Sequence, residues 1–170
     1  PDANEPNVTL HPVYFFRDGF LVNIQRALPS PVFLEVPMNN LLEGPNNRDA
    51  ADGLETSIPA GTEVEVSQIT GNIVKLDLND AFFEIEGEAL QRATAQLVFT
   101  GYGLVRDAQG VIFHRNGDPV VLPKGDGSFA EVADGQSPPP HTLEDFSELV
   151  APQVEADVEE TTPLPEVVNE

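Results

Sequence analysis

The first strong pattern along the chain is Val13-Tyr14-Phe15-Phe16, β-branched and aromatic. Arg17-Asp18-Gly19 comes next, then a second apolar run, Phe20–Arg26, in which Leu21, Asn23 and Gln25 form the less apolar row. An Asp-Gly step between two such runs predicts a β-hairpin, because both residues tolerate the positive φ that the strand twist demands. Pro29-Ser30-Pro31 ends the return strand. From Val32 to Leu42 the spacing changes. Phe33, Val36, Pro37, Asn40 and Leu41, and likewise Leu34, Met38 and Leu42, recur every three or four residues and predict a helix. Pro37 has no amide hydrogen for a helix interior, so a kink or a later start is expected. Glu43-Gly44-Pro45 stops this helix, with Gly44 as a left-handed C-cap and Pro45 behind it.

Asn46 to Ser57 reads as a polar loop carrying Asp49, Asp52, Gly53 and Glu55. After the turn Ile58-Pro59-Ala60-Gly61, residues Thr62–Ile69 alternate, which places Val64, Val66 and, after a one-residue slip, Ile69 inward. Thr70-Gly71-Asn72 turns the chain into a second alternating run with Val74, Leu76 and Leu78 on one face. Asn79-Asp80 caps or turns the next segment. Glu84–Phe99 carries the best helical stripe: Ile85, Ala89, Leu90, Ala93, Leu97 and Val98, with Glu86, Glu88, Gln91, Arg92 and Gln96 mainly outside it. Thr100-Gly101-Tyr102-Gly103 ends it. Val111-Ile112-Phe113-His114 and Pro119-Val120-Val121-Leu122 flank Asn116-Gly117, the preferred pair for a type I′ turn. The order ββαββαββ predicts an α+β fold with two helices packed on one face of a mixed sheet.

Charge divides the chain. Of its 170 residues, 29 are Asp or Glu and 8 are Lys or Arg, a net charge of −21. Residues 1–130 hold a net −10, and residues 131–170 hold −11 with no basic residue. Such a balance argues against nucleic acid as a partner and against general affinity for anionic lipid, since both are bound through clustered Lys and Arg. The last stretch also contains Pro138-Pro139-Pro140, Pro152, Pro163 and Pro165, is poor in aromatics and lacks sustained periodicity. It therefore reads as an acidic tail that buries too little apolar surface to offset ordering entropy. One island interrupts it. Thr142 N-caps a short helix at 142–150, with Glu144 and Asp145 in its first turn and Leu143, Phe146, Leu149 and Val150 on a docking face. The expected division is a polar tether at 1–12, a domain at 13–130 and the tail at 131–170. No run of apolar residues is long enough to span a bilayer, and the absence of an initiator Met or basic leader fits a trimmed or mature fragment.

Candidate chemistry is sparse. With no Cys there is no disulfide, thiolate nucleophile or Cys-ligated metal. His11, His114 and His141 occupy no metal-ligand spacing, and His114 reads as a sheet residue. Ser57, Ser67 and Ser128 have no neighbouring base and no nucleophile elbow. Gly101-Tyr102-Gly103 comes after a helix where a phosphate loop would precede one. Three oxygen-rich clusters, Asp77-Leu78-Asn79-Asp80, Asp49 with Asp52-Gly53, and Asp126-Gly127-Ser128, lack the calcium-loop spacing, and turn or cap roles account for them. The sequence thus predicts no catalytic residue, no cofactor and no metal site. A binding surface, where there is one, is expected on the uncovered sheet face or on the loop Asn46–Ser57, whose Asp49, Asp52 and Glu55 read as solvated charges.

Several landmarks come in a recognisable order: Leu41-Leu42-Glu43-Gly44-Pro45, Gly53-Leu54, Ser57-Ile58-Pro59-Ala60-Gly61-Thr62 and Val74-Lys75-Leu76-Asp77-Leu78. Gln91–Thr100, Val111-Ile112-Phe113 with Asn116-Gly117-Asp118-Pro119-Val120, and Asp145-Phe146 with Leu149 extend the series. Together they resemble the GerMN domain family of sporulation, spore-germination and actinobacterial lipoproteins, in one copy over about residues 13–123. The resemblance implies a non-catalytic, extracytoplasmic α+β domain related to ring-building modules, partnered by an envelope protein or by its own kind. It also implies a lipid anchor through an N-terminal Cys, which this sequence lacks. Gly44, Pro45, Ser57, Ile58, Pro59, Gly61, Thr62 and Asp77 are its landmark residues, and their expected roles are structural. The competing expectation is a small-ligand or glycan-binding or hydrolysing domain built on the Asp/Glu clusters.

Overall fold

A computed structural model of the chain describes residues 8–30 and 32–150. The Asp18-Gly19 turn, with φ of 55° and 86°, joins β1 (Val8–Arg17) to β2 (Phe20–Pro29) in an antiparallel hairpin that begins five residues earlier than the aromatic run indicates. A two-residue turn makes Arg17 and Phe20 the hydrogen-bonded pair, so the backbone groups of Phe16, Tyr14 and Pro12 point away from β2. That edge is closed. Phe16 and Glu55 exchange backbone hydrogen bonds of 2.8 and 2.7 Å, Tyr14 N–H donates to Thr100 Oγ1 at 3.2 Å, and Gln96 Nε2 donates to the Tyr14 carbonyl at 3.0 Å. Pro12 has no N–H to satisfy.

The first helix, α1 (Glu35–Glu43), takes the later start that Pro37 favours. Pro37 then lies in the first turn, where an amide would have no intrahelical partner. Gly44 stops it with φ 83° and ψ −179°, an extended conformation reserved for glycine, in place of the left-handed cap expected. The polar loop contains a further helix, α2 (Asn47–Ala51), started by a reciprocal capping box: Asp49 N–H donates to Asn46 Oδ1 at 2.8 Å and Asn46 N–H to Asp49 Oδ2 at 3.0 Å.

β3 (Val64–Ile69) and β4 (Ile73–Leu78) pair antiparallel, and β5 (Gly110–Arg115) pairs parallel with β4 and antiparallel with the two-residue β6 (Asp118–Pro119). The sheet order is β3-β4-β5-β6, with the first hairpin forming a separate two-stranded sheet. The α+β class holds and the strands come in the expected order, but α2 adds a third helix between α1 and β3 and the strands divide between two sheets in place of one mixed sheet. Val74, Leu76 and Leu78 are buried as the alternation requires, beside Val111 and Phe113 of β5. Ile69 pairs with Ile73 without the slip, falls on the face of Glu65 and Ser67, and is 40% exposed, so its inward placement is corrected.

A 3-10 turn at Asp80–Glu84 delays α3 (Gly87–Tyr102), which starts and ends three residues later than the apolar stripe suggests. Ala93 to Val98 are all buried in one unbroken run. Six consecutive buried positions exceed one helical face, and α3 accordingly packs against both β1 of the hairpin and β5 of the sheet. Gly101, inside α3 rather than beyond it, permits this approach, since a Cβ there would lie 3.3 Å from Val111 Cγ2.

Residues 141–150 return to the domain. His141 pairs its backbone with Val111 by hydrogen bonds of 2.9 and 2.8 Å, and a 3-10 helix at Leu143–Leu149, capped by Thr142 with Asp145, buries Phe146 completely. Leu143, assigned to the docking face, is 38% exposed. The rest of the tail from residue 151, and the tether residues 1–7, lie outside the described residues.

Candidate functional site

The landmark residues are gathered around the joints of the fold. Ser57 N–H donates to Gln96 Oε1 at 2.8 Å, and Ile58 is buried. The Pro59 carbonyl accepts from both Thr62 N–H (3.3 Å) and Thr62 Oγ1 (2.8 Å), folding the Ile58–Thr62 corner on itself. Gly61 takes φ +89°, and its carbonyl accepts from Asn79 Nδ2 at 3.0 Å. Gly44 and Pro45 terminate α1. Asp77, at the end of β4, accepts from Gly117 N–H at 3.0 Å and so holds the closing hairpin turn. These residues do not converge on one cleft.

The oxygen clusters are occupied by the fold itself. Asp80 Oδ1 accepts from Arg115 Nε at 2.9 Å and Asn116 Nδ2 at 2.8 Å, and these bonds hold its carboxyl below the usual range. Asn79 Oδ1 takes Glu63 N–H at 3.0 Å. Asp126 Oδ1 accepts from Ser128 Oγ at 2.6 Å and Ser128 N–H at 2.9 Å, a local turn. Among the described residues, no three His, Asp or Glu side chains come together as a metal-ligand set.

Asp49 departs from its expected role as a solvated charge. It is 6% exposed and completes the α2 capping box while pairing with Arg26 Nη2 at 2.6 Å. The hydrogen bond from Arg26 depresses its pKa against the opposing effect of burial. Arg26 also donates to Asn40 Oδ1 at 2.7 Å and lies 5.6 Å over the Phe15 ring. It therefore ties β2 to α1 and α2. The loop expected as a binding surface is thus fastened to the hairpin by Asp49 and by the Phe16–Glu55 pair.

Gln96 is the clearest residue that pattern reading misplaces. Assigned outside the stripe, it is 0% exposed and joins three elements: Ser57 N–H to its Oε1, and its Nε2 to the Tyr14 carbonyl and Thr56 Oγ1. Its partner one turn on, Thr100, takes Tyr14 N–H. A Gln-x-x-x-Thr pair inside an otherwise apolar helix was the available signal, since buried polar side chains have to find partners.

Of the histidines, His141 is buried. Its ring lies between Phe113 and Phe146, at 5.5 Å from each centroid, and its Nδ1 sits 3.5 Å from Asp145 Oδ2 with no hydrogen-bond partner. Burial lowers its pKa, with Asp145 pulling the other way. His114 Nδ1 lies 3.2 Å from the Gly117 carbonyl in the closing hairpin.

Among the described residues, the part of the fold left least covered is the outer face of the four-stranded sheet at β3 and β4. Register places Glu65, Ser67 and Ile69 of β3, Ile73, Lys75 and Asp77 of β4, and Ile112 and His114 of β5 on it. At its β3–β4 end lies a wide recess of about 340 Å³ bordered by Glu63, Glu65, Asp77, Asn79 and Asn116. Pro138 and Pro139 border a much smaller pocket of about 50 Å³ beside Ile112 and His114.

Comparison with known proteins agrees with this architecture. Residues 12–121 match the family model Germane, described as sporulation and spore germination. No curated protein matches the sequence. Among solved structures, the tandem GerMN domains of the sporulation protein GerM from Bacillus subtilis superpose with a TM-score of 0.56 at 17% identity, over 81% of this chain and 46% of that one. The chain thus spans less than half of that tandem structure. The first GerMN domain of the same protein superposes with a TM-score of 0.53 at 16% identity, over 79% and 96% of the two chains. The resemblance read from the ordered Gly-Pro, Ile-Pro and Asn-Gly landmarks is therefore met by family model and fold alike, and the chain belongs to the Germane (GerMN) family of sporulation and spore-germination domains.

Proposed function

We propose that this chain is a non-catalytic interaction domain that works outside the cytoplasm. In this reading it docks an envelope protein or a second copy of itself through the open face of the four-stranded sheet. One observation carries the reading: the sheet's inner face is filled by α3 and the core, while among the described residues nothing packs over the β3–β4 part of its outer face, where Glu65 and Ile69 are exposed. Ile69 and Ile73 supply apolar contact there, and Lys75 supplies a single positive charge among Glu65 and Asp77. Mixed apolar and charged surface of this kind suits a protein partner better than a buried small molecule. Kinship with GerM, named as a sporulation protein, supports the same broad setting for this chain. A lipid-anchored or secreted location belongs to this proposal.

The recess at Glu63, Glu65 and Asp77 favours one alternative, a small-ligand or glycan site. Photo-crosslinking from Ser67 in native cells separates the two. Discrete protein adducts that disappear with Ile69→Asp, at unchanged melting temperature, support the docking reading. Absence of adducts, together with saturable heat on titrating calcium or cell-wall glycan fragments that Glu65→Gln removes, overturns it.

A further inference from the structure

Asn116 is the one asparagine of the chain that precedes glycine, and it stands exposed at the tip of the closing hairpin. Such a step is open to attack by its own backbone, because glycine has no Cβ to keep its amide nitrogen from the preceding side chain. The steps Asp18-Gly19, Asp52-Gly53, Asp126-Gly127 and Asp134-Gly135 are poorer sites, since an ionised carboxylate repels a nucleophile that a neutral amide admits. Three hydrogen bonds hold Asn116-Gly117. Asn116 N–H donates to the Leu78 carbonyl at 3.0 Å, Asn116 Nδ2 to Asp80 Oδ1 at 2.8 Å, and Gly117 N–H to Asp77 Oδ1 at 3.0 Å. The φ values of the two residues, 50° and 92°, are those of a type I′ turn.

We propose that Asn116 is a modification site at which the chain converts its own amide into a carboxylate, and that the closing turn with Asp77 and Asp80 sets the rate. In the reaction the Gly117 backbone nitrogen gives up its proton and bonds to Asn116 Cγ. The Cγ–Nδ2 bond breaks, ammonia leaves with one proton more than the side-chain amide carried, and a five-membered succinimide remains. Water then opens the ring at either carbonyl. One opening gives aspartate, and the other gives isoaspartate with the backbone rerouted through Cγ. Ring closure brings Gly117 N alongside Asn116 Cβ, whereas a ψ of about +30° at the first position of a type I′ turn sets the two nearly opposite. The bond to Asp77 anchors the attacking nitrogen in that arrangement, and the bond to Asp80 anchors the amide under attack. The reaction therefore proceeds from an opened turn, and its rate falls with the free energy of opening. β6 is only two residues long and both are exposed, so the opening is local. Its product changes the neighbourhood. Asp80 loses the Nδ2–H donor and meets a like charge in its place, and the recess bordered by Glu63, Glu65 and Asp77 gains a further carboxylate.

Peptide mapping by mass spectrometry of the full chain, aged in mildly alkaline buffer, tests this. In urea, product is expected at Asn116 ahead of every other asparagine. In the folded chain Asn116 is expected to react at least about tenfold more slowly. Asp77→Ala and Asp80→Ala, each checked for an unchanged circular dichroism spectrum, are expected to speed the folded-state reaction by about fivefold, the equivalent of one net hydrogen bond. Asn116→Asp stands in for one product. It is expected to speed exchange of the Val120 amide, bonded to the Phe113 carbonyl at 3.1 Å, and to leave the core amide of Val98 unchanged. Equal rates at Asn116 in the folded and unfolded chain overturn the proposal, as does earlier product at another asparagine in urea. So does a folded-state rate that neither aspartate variant raises.

Discussion

Two polar side chains hold together elements that hydrophobic contact alone leaves adjustable. Gln96 bridges α3, the Ser57 corner and β1, and Arg26 bridges β2, α1 and α2 through Asn40 and Asp49. Their shared logic is that a buried amide or carboxylate costs little when every lone pair and hydrogen is used, and much when a partner is removed. Gln96→Leu keeps the size of the side chain but strands Ser57 N–H and the Tyr14 carbonyl in the core. The expected loss is about 3 kcal/mol of folding free energy, read from urea denaturation. By contrast, the Arg92–Glu88 pair one turn earlier is largely exposed, with side chains 31% and 73% accessible, and is expected to contribute only about 0.5 kcal/mol.

At the level of elements, the segment 141–150 behaves as a clasp across the end of the sheet. Its backbone pairs with Val111 and Leu21, Phe146 fills the core, and Pro140 lies so close to Gly110 that a Cβ on Gly110 would come within 2.6 Å of it. His141 makes the clasp sensitive to pH. Burial lowers its folded-state pKa from 6.5, Asp145 raises it by less, and Lys124 adds to the lowering. The unfolded chain therefore binds the proton more readily, and the His141 contribution is fully present above pH 6.5 and is lost as pH falls toward the folded-state value. The measurable consequence is a melting temperature that drops on acidification below pH 6.5 and a Val111 amide that exchanges faster over the same range. His141→Phe preserves the aromatic packing against Phe113 and Phe146 and is expected to flatten that response.

For the whole molecule the dominant quantity is the charge of −21. The described ion pairs, such as Arg26–Asp49 and Arg115–Asp80, neutralise only part of it. Long-range repulsion among the remaining carboxylates opposes the compact state, and salt screens it over a Debye length that shrinks from about 30 Å at 0.01 M to about 8 Å at 0.15 M. Raising sodium chloride across that interval is therefore expected to increase the melting temperature. A decrease would mean that the local pairs outweigh the global repulsion. The same charge keeps the open sheet face from associating indiscriminately, which is compatible with a docking role that requires a specific partner.

How much of the fold was legible beforehand depends on what periodicity encodes. Asp18-Gly19 and Asn116-Gly117 fixed two turns because few other residues accept positive φ in succession. The alternation of Val74, Leu76 and Leu78 likewise carried its own burial in its spacing, as did Phe146 in the 142–150 island, though not Leu143. The landmarks around Gly44, Ile58 and Asp77 were local enough in origin to reveal the family. Spacing says which residues share a face, however, and not what lies against it. That α3 is covered from two sides, which turned Gln96 and Thr94 inward, depended on the hairpin standing apart as its own sheet. That Asp49 is a buried partner of Arg26 depended on β2 reaching a helix about twenty residues away in sequence. The sequence by itself determined the turns, most of the strands and the kinship; only the tertiary structure decided which polar groups are enclosed and which sheet each strand joins, because enclosure is a property of neighbours that the chain brings together from a distance.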